Sequence, residues 1–433
     1  MGDIDMEECA LSNMETMTQS VPVQRQIEES IFTILRPTIQ TDSTIEFNVR
    51  EDEYYIELNK TEVDVKFRIT KDDGSNLAAG DHVGTINYPG ATLFQNVEIV
   101  LNDTIITQGS NNYAERAIME VLMSYSKEAC DGWLRGALFE KDTAGKMDVA
   151  DPNAADDAVN KGLKTRAEYS KTSNLVTVRS KLHEDFFNQS RPLPSGNKLH
   201  IKFTRHQDPY CLMSAVGGAT YKVVIQDMVL HIFKIRVSNN VKLNQVGKSI
   251  IFPIDRVEQK SFNVQKEGTM VMVDTLHDGQ IPTRLVFGFV DIEAHTGKYS
   301  LNPFNWVHGD IRKVTLSRDG QMVNAGPLEV NFTTGNVMDG FWSLYRATNI
   351  RYSNAGMLID MDDYKKGGYN LWAFDLSPSQ CDEQFNDPKR RGKLSLQVEF
   401  AQARAKPLAL CVYLQFNSEI IINKEGKVLK MYD

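Results

Sequence analysis

Residues 96–125 read NVEIVLNDTIITQGSNNYAERAIMEVLMSY, and residues 310–348 read DIRKVTLSRDGQMVNAGPLEVNFTTGNVMDGFWSLYRAT. The two stretches carry the same signals in the same order. Alternating apolar residues (Ile99 and Leu101; Val314 and Leu316) enter a two-residue turn (Asn102-Asp103; Asp319-Gly320). A short strand follows at Ile105 or Met322, and then a helix. Ala114, Ile118, Val121, Leu122 and Tyr125 have the spacing of Val337, Phe341, Leu344, Tyr345 and Thr348, one face of a 3.6-residue period. Asn112 and Asn336 stand three residues before Glu115 and Asp339, which predicts an asparagine N-cap and an acidic first turn for both helices.

The correspondence extends outward. Leu199, Ile201 and Phe203 alternate after one helix, as Leu394, Leu396 and Val398 do after the other. Pairing Leu101 with Leu316 and Leu199 with Leu394 leaves about twenty extra residues in the first copy. The competing reading is two unrelated β-rich halves that share a short helix. Further strands are predicted at Ile45–Val49, Tyr54–Leu58, Val63–Ile69 and Tyr221–Val237. In the second half they fall at Val257–Val264, Val271–Val273, Leu285–Val290, Leu408–Phe416 and Ile420–Ile422. Eight or so short strands per half, one helix per half and many Gly, Pro and Asn turns predict an all-β protein with a two-sheet sandwich in each half.

Residues 1–30 read as an N-terminal arm, 31–240 as the first sandwich and 253–433 as the second, with a linker over 239–252. The extra segment, about 141–174, is polar, Asp/Ala-rich and interrupted by Pro152. It is expected to be a surface loop at one end of the first sandwich.

At 433 residues and 41% hydrophobic, the chain can bury two cores. No apolar run reaches the ~18 residues of a helical membrane span. The opening MGDIDMEECALSNMETMTQ has neither the basic start nor the apolar stretch of a secretory signal, and Met6 stands where a myristoylation motif wants Ser or Thr. Five scattered cysteines, Cys9, Cys130, Cys211, Cys381 and Cys411, suit reduced thiols made inside a cell. The net charge of −9, with Lys389-Arg390-Arg391 as the only short basic run, argues against strong direct binding of nucleic acid.

Chemistry-bearing motifs are near misses. Gly247-Lys248-Ser249 copies the end of a phosphate-binding loop, but Lys242 occupies the place of its first glycine. Asp142-Thr143-Ala144-Gly145 resembles a GTPase switch with no phosphate loop upstream, and Val216-Gly217-Gly218 reads as a turn. His200 and His206 straddle a strand end, while Asp360, Asp362 and Asp363 read as a solvent-facing acidic turn, against the competing readings of a calcium site or a carboxylate pair for glycoside hydrolysis. Trp306, Tyr345, Tyr352 and Trp372 suit a core better than a sugar-binding face. No catalytic, cofactor-binding or metal-ligating residues are assigned, and no cofactor is expected.

EKDTAGKMD (residues 140–148), NKGLKTRAEYS (160–170) and LHEDFFNQSRPLPSGNKLHIKFTRHQDPYCLMS (182–214) together resemble the major capsid protein of Maverick/Polinton transposons and adintoviruses. ECALSNMETM and TINYPGATLFQNVEIVLND are similar to the same family, whereas Met17 and Thr18 stand where the family has a Leu-Phe pair. The clear similarity covers the first half of the chain. It implies a double jelly roll of the hexon type, two eight-stranded rolls in one chain, with three chains forming a pseudo-hexameric tile of an icosahedral shell. A virion location, a non-enzymatic role, and partners limited to further copies and a penton or minor capsid protein are implied with it. A carbohydrate-binding or carbohydrate-active β-sandwich and a phage fibre or tail-tube protein are the readings from other classes.

Overall fold

The computed structural model describes residue 24 and residues 26–107, 109, 111–155, 157–218, 220–245, 247–323, 326–351, 356–380 and 387–432. Most of the arm (with Cys9, Met17 and Thr18), Tyr352 and Cys381 lie outside the described residues.

Eight principal strands build the first half: β1 (Ile27–Leu35), β2 (Thr44–Val49), β3 (Tyr55–Lys71), β4 (Phe94–Leu101), β5 (Thr104–Ile105), β6 (Val176–Lys181), β7 (Leu199–Arg205) and β8 (Tyr221–Val237). Their sheets have the orders β1-β8-β3-β6 and β2-β7-β4-β5. The second half supplies β9 (Ile250–Val264), β10 (Met270–Gln280), β11 (Arg284–Asp291), β12 (Ile311–Arg318), β13 (Gln321–Met322), β14 (Leu371–Asp375), β15 (Arg391–Phe400) and β16 (Leu408–Ile422). Their orders are β9-β16-β11-β14 and β10-β15-β12-β13. Counted within each half, both sets read 1-8-3-6 and 2-7-4-5, the permutation of a jelly roll. The chain is a double jelly roll.

The repeat holds at single hydrogen bonds. Asn102-Asp103 and Asp319-Gly320 both have positive φ at both residues, as a type I′ hairpin requires. Asn102 and Asp319 each donate N–H to a lysine carbonyl (Lys198, 3.0 Å; Lys393, 2.9 Å), and their side-chain Oδ1 accepts from the same lysine's N–H (2.9 and 2.8 Å). These bonds make Arg318, not Leu316, the counterpart of Leu101, one side-chain repeat from the pairing read in the sequence. Leu101 pairs with Leu199 and Arg318 with Leu394.

Several boundaries shift. β1 begins at Ile27, inside the residues read as arm, because it pairs with the long β8. The runs around Ile56 and Val65 are one strand, whose register slips between Glu57 and Glu62. That bulge lets Ile56 and Leu58, then Val63 and Val65, face the same core despite opposite parity. β9 reaches back to Ile250 through Pro253, which an edge strand tolerates. The linker therefore shrinks to a helix over Asn239–Gln245 and a turn.

Two helices occupy equivalent places in the strand order, each between the fifth and sixth strands of its roll, α1 (Tyr113–Ser124) and α3 (Met338–Ala347), with α2 (Lys161–Ser170) between them in sequence. The expected asparagine caps are absent. Asn112 makes no side-chain cap bond, and α3 starts one residue late, with Val337 in the cap position. Gly340 is needed where α3 meets the sheet, since a Cβ there would lie 2.6 Å from the Tyr364 hydroxyl and 3.0 Å from the Trp372 ring.

Both rolls stand the same way up. Asn102, at the turn after β4, donates to the Gly426 carbonyl (2.9 Å), just beyond the end of β16. At this lower end β1 and β9 start while β8 and β16 stop. Among the described residues no helix is long and apolar enough to cross a membrane.

Candidate functional site

The chain's chemistry concentrates at the seam between the rolls, and the seam begins at the β9-β16-β11-β14 sheet, whose strand β16 is buried on both faces from Leu408 to Leu414. In β16, Leu410, Val412 and Leu414 point into the interior of roll 2, while Ala409, Cys411 and Tyr413 join the core of roll 1. This explains the unbroken apolar run at 408–414, since a strand covered on both sides need not alternate.

Helix α1 covers the outward face of that sheet, and ten of its twelve residues are buried. Its polar residues cross the seam. Glu115 Oε1 lies 3.4 Å from His295 Nδ1, and His295 Nδ1 lies 3.8 Å from Cys411 Sγ. Burial pushes the Glu115 carboxyl up, but the hydrogen bond and charge of His295 outweigh it and leave the group below its ordinary range. The same contact raises His295, whereas burial drives the Cys411 thiol far up and keeps it unreactive. The Gln259 amide of roll 2, oriented to satisfy both groups, donates to the Asn112 carbonyl (2.9 Å) and accepts from Arg116 N–H (3.0 Å). The start of α1 is thus satisfied from the other roll.

One turn along α1, Arg116 donates to Glu120 (2.8 Å), Glu184 (3.4 Å) and Asp185 (2.6 Å), all buried or nearly so. Asp185 in turn accepts from Val257 N–H of roll 2 (3.2 Å), and Glu120 holds His183 Nδ1 at 2.7 Å. Three carboxylates share one guanidinium, so their titrations separate. Burial pushes Glu184 up to about 8 against the pull of Arg116. For Glu120, Arg116 and His183 overcome burial and hold it at about 2.

The segment 141–174 is the main correction. It is a wedge in the seam, not a surface loop. Asp142 and Arg166 form a fully buried pair at 2.8 Å, and Arg166 also donates to the carbonyls of Thr85 (2.9 Å) and Glu140 (2.7 Å). From roll 2, Asn302 reaches Asp142 Oδ2 (3.0 Å), Asn302 N–H and Asn305 reach Asp148 (2.9 and 2.7 Å), and Gly367 O accepts from Gly145 N–H (2.9 Å). Polar composition misled here, because these polar groups are paired with protein and not with water.

The other motifs are dispersed. Asp360 and Asp363 close a capping box at the helix Met361–Lys366, and Asp363 pairs with Lys141 of the wedge. Trp306 and Trp372 are core residues, and Tyr345 lies on α3, half-buried. His200 pairs with Glu46 (3.3 Å), whereas His206 stacks on Tyr210 at 3.6 Å. Gly247, Lys248 and Ser249 form an exposed turn. Among the described residues no three His, Cys, Asp or Glu side chains are placed to hold a metal, and Cys130, Cys211 and Cys411 are free. The seam residues Glu115, Arg116, Glu120, Glu184 and Asp185 escaped the sequence reading because charges at i,i+4 on a helix ordinarily mark a solvated face. Their one signal was that HEDFF (183–187) lies in the stretch resembling the capsid family.

The equivalent surfaces on the outer flanks are open. On the β1-β8-β3-β6 sheet of roll 1, Phe32 is 62% and Ile34 60% exposed, beside the half-buried Phe233. Only five of the ten residues of α3 are buried, and Met338 is 53% exposed.

No family model matches the chain. It is 23% identical over 413 residues to the uncharacterized protein F54H12.2 of Caenorhabditis elegans, covering 90% of this chain and 94% of that protein. Among solved structures, a chain of the Sputnik virophage superposes with a TM-score of 0.64 at 11% identity, over 98% of this chain and 92% of that one. The mavirus major capsid protein superposes with a TM-score of 0.56 at 11% identity, over 99% and 96%. At these identities the likeness is one of fold, and it spans both rolls.

Proposed function

We propose that this chain is the major capsid protein of an icosahedral shell, of the Maverick/Polinton and adintovirus kind that its first half resembles. Three copies close into a pseudo-hexameric tile. The observation that carries this reading is the unequal burial of equivalent surfaces. Inside one chain, α1 of roll 1 covers the outward sheet of roll 2. The same two surfaces, α3 of roll 2 and the outward sheet of roll 1, stay open at the two flanks. Placing α3 of one copy on the Phe32–Ile34 face of the next repeats the internal contact, head to tail. Six rolls close such a ring at three chains, so association saturates instead of running on into a fibre.

The function then resides in surfaces, with no catalytic group, cofactor or metal. The working divisions are an arm that ends before β1 at Ile27, a first roll to the end of β8 at Val237 and a second roll from the start of β9 at Ile250, and the assembled location is the virion. A penton or minor capsid protein completes the shell, and neither a membrane nor tight nucleic-acid binding is required. An obligate interface of this kind buries more than about 2,000 Å². Mass photometry at nanomolar concentration is expected to show three copies of 48.9 kDa, about 147 kDa. A dominant peak near 49 kDa from folded protein overturns the trimeric tile.

A further inference from the structure

At the lower end of roll 2, two adjoining hollows of about 320 Å³ each share Asp375 and Gln380. Arg346 and Arg351 line one, and Arg318 and Arg390 line the other. The last belongs to the short basic run of the sequence, and it is held in place by donating to the Leu376 carbonyl (2.6 Å). Among the described residues no carboxylate pairs with Arg318, Arg346 or Arg351. Asp375 is the one carboxylate in the described lining, and its Oδ1 accepts from Ser377 N–H (2.9 Å) and Oγ (2.6 Å). Among the described residues the groove therefore holds four guanidinium groups against one carboxylate, in a protein whose net charge is −9. Guanidinium clusters of this kind bind carboxylates or phosphates through forked, charge-assisted hydrogen bonds.

We propose that this groove binds the acidic N-terminal segment, residues 1–24, of a neighbouring copy of the chain. That segment contains Asp3, Asp5, Glu7, Glu8 and Glu15 and no lysine or arginine. It enters roll 1 at Ile27, which pairs with Val237 at the lower end. The groove opens at the same level of roll 2, where Arg284 pairs with Asp375 and Arg318 with Leu394. Within one chain the two places lie on opposite flanks. In the ring of the preceding reading, on which this inference rests, the α3 flank of one copy meets the β1 flank of the next. The groove and the neighbour's Ile27 then share one junction. At ~3.3–3.6 Å per extended residue the segment reaches up to about 80 Å, ample for a junction between adjacent sandwiches. Docking would tie each tile together from below by charge, in addition to the apolar contact above.

The test uses the full-length chain with a photo-cross-linking phenylalanine analogue at Met6, mixed with an isotopically heavy copy that lacks the probe. Cross-links are expected to map to the groove and to join light to heavy chains. They should fall at least tenfold in R346E/R351E and return when D5K/E7K/E8K is added on the probe-bearing chain. R346Q/R351Q, a milder change, should lose several-fold and guards against misfolding of the charge reversal. Cross-links outside the groove, cross-links indifferent to both arginine pairs, or links only within one chain each overturn the proposal. So does an oligonucleotide that displaces the segment at micromolar concentration, which would assign the groove to nucleic-acid phosphate. Mass photometry of the same samples separates the two ideas. Intact trimers without groove cross-links defeat the docking alone, whereas absent trimers defeat the ring.

Discussion

Strands β8 and β16 close their rolls in the same position, yet their surroundings differ. β8 has an exposed or half-buried residue at about every second position over much of its length, whereas β16 is buried without a break from Leu408 to Leu414. Helices α1 and α3 differ in the same sense, the former enclosed and the latter half open. The difference does not arise within either roll, since the strand order and the turn hydrogen bonds are the same. It arises from what stands next to each roll, so the more exposed copy shows which surfaces lack a neighbour in the isolated chain.

The strongest way to break this comparison is to remove what only roll 1 possesses. Arg166→Ala removes the counter-ion of the buried Asp142 and leaves it, among the described residues, only the Asn302 hydrogen bond, and losing one partner of a buried pair costs about 3–5 kcal/mol. Urea unfolding followed by far-UV circular dichroism should register that loss. A change under about 1 kcal/mol means that the wedge is dispensable. Replacing 148–165 by a short Gly/Ser linker is expected to be at least as damaging, because Val159, Asn160 and Leu163 are buried there.

The next effect separates the two sheets. Phe32→Asp with Ile34→Asp should abolish the 147 kDa species expected of the proposed trimer while leaving the melting temperature of the chain within a few degrees, because both side chains are exposed in the monomer. Ile254→Asp, on the covered sheet of roll 2, should instead unfold the protein. Similar outcomes for the two variants erase the distinction between covered and open faces.

The seam also titrates. The Glu184 carboxyl, pushed up to about 8 from an ordinary 4.5, keeps its proton in the folded chain where the unfolded chain has lost it. The stability it contributes is full below about pH 4.5 and disappears as pH rises through 8, by at most ~1.4 kcal/mol per pH unit. Asp185, raised by burial, acts in the same sense. His183, lowered by burial, acts in the opposite sense below its ordinary 6.5. Glu184→Gln removes one contribution only. The variant should gain stability relative to the parent as pH rises from 5.5 to 8 in parallel urea titrations. Parallel curves leave Glu184 without that role.

The smallest effect is expected at Asn112. Its side chain caps nothing, and Gln259 serves the helix start, so Asn112→Ala should shift stability by less than about 0.5 kcal/mol. A loss of 1 kcal/mol or more restores the cap that the sequence suggested.

Much of the fold was legible because it depends on local signals. The turns at Asn102-Asp103 and Asp319-Gly320, the alternation of Leu199–Phe203 and Leu394–Val398, and the 3.6 period of α1 and α3 are fixed by backbone sterics and by one-sided burial. Those signals determined two repeated β-sandwiches, and the resemblance of residues 182–214 supplied the jelly-roll order. Tertiary structure alone decided the rest. It turned a polar segment, 141–174, into a wedge, put Glu115 and Arg116 inside rather than in water, and buried the second face of β16. It also gathered Arg318, Arg346, Arg351 and Arg390 from distant positions into one groove. The physical reason is that a sequence pattern reports whether a residue prefers water, whereas the partner that replaces water, be it Asn302 for Asp142 or His295 for Glu115, comes from far along the chain and exists only once both rolls have packed.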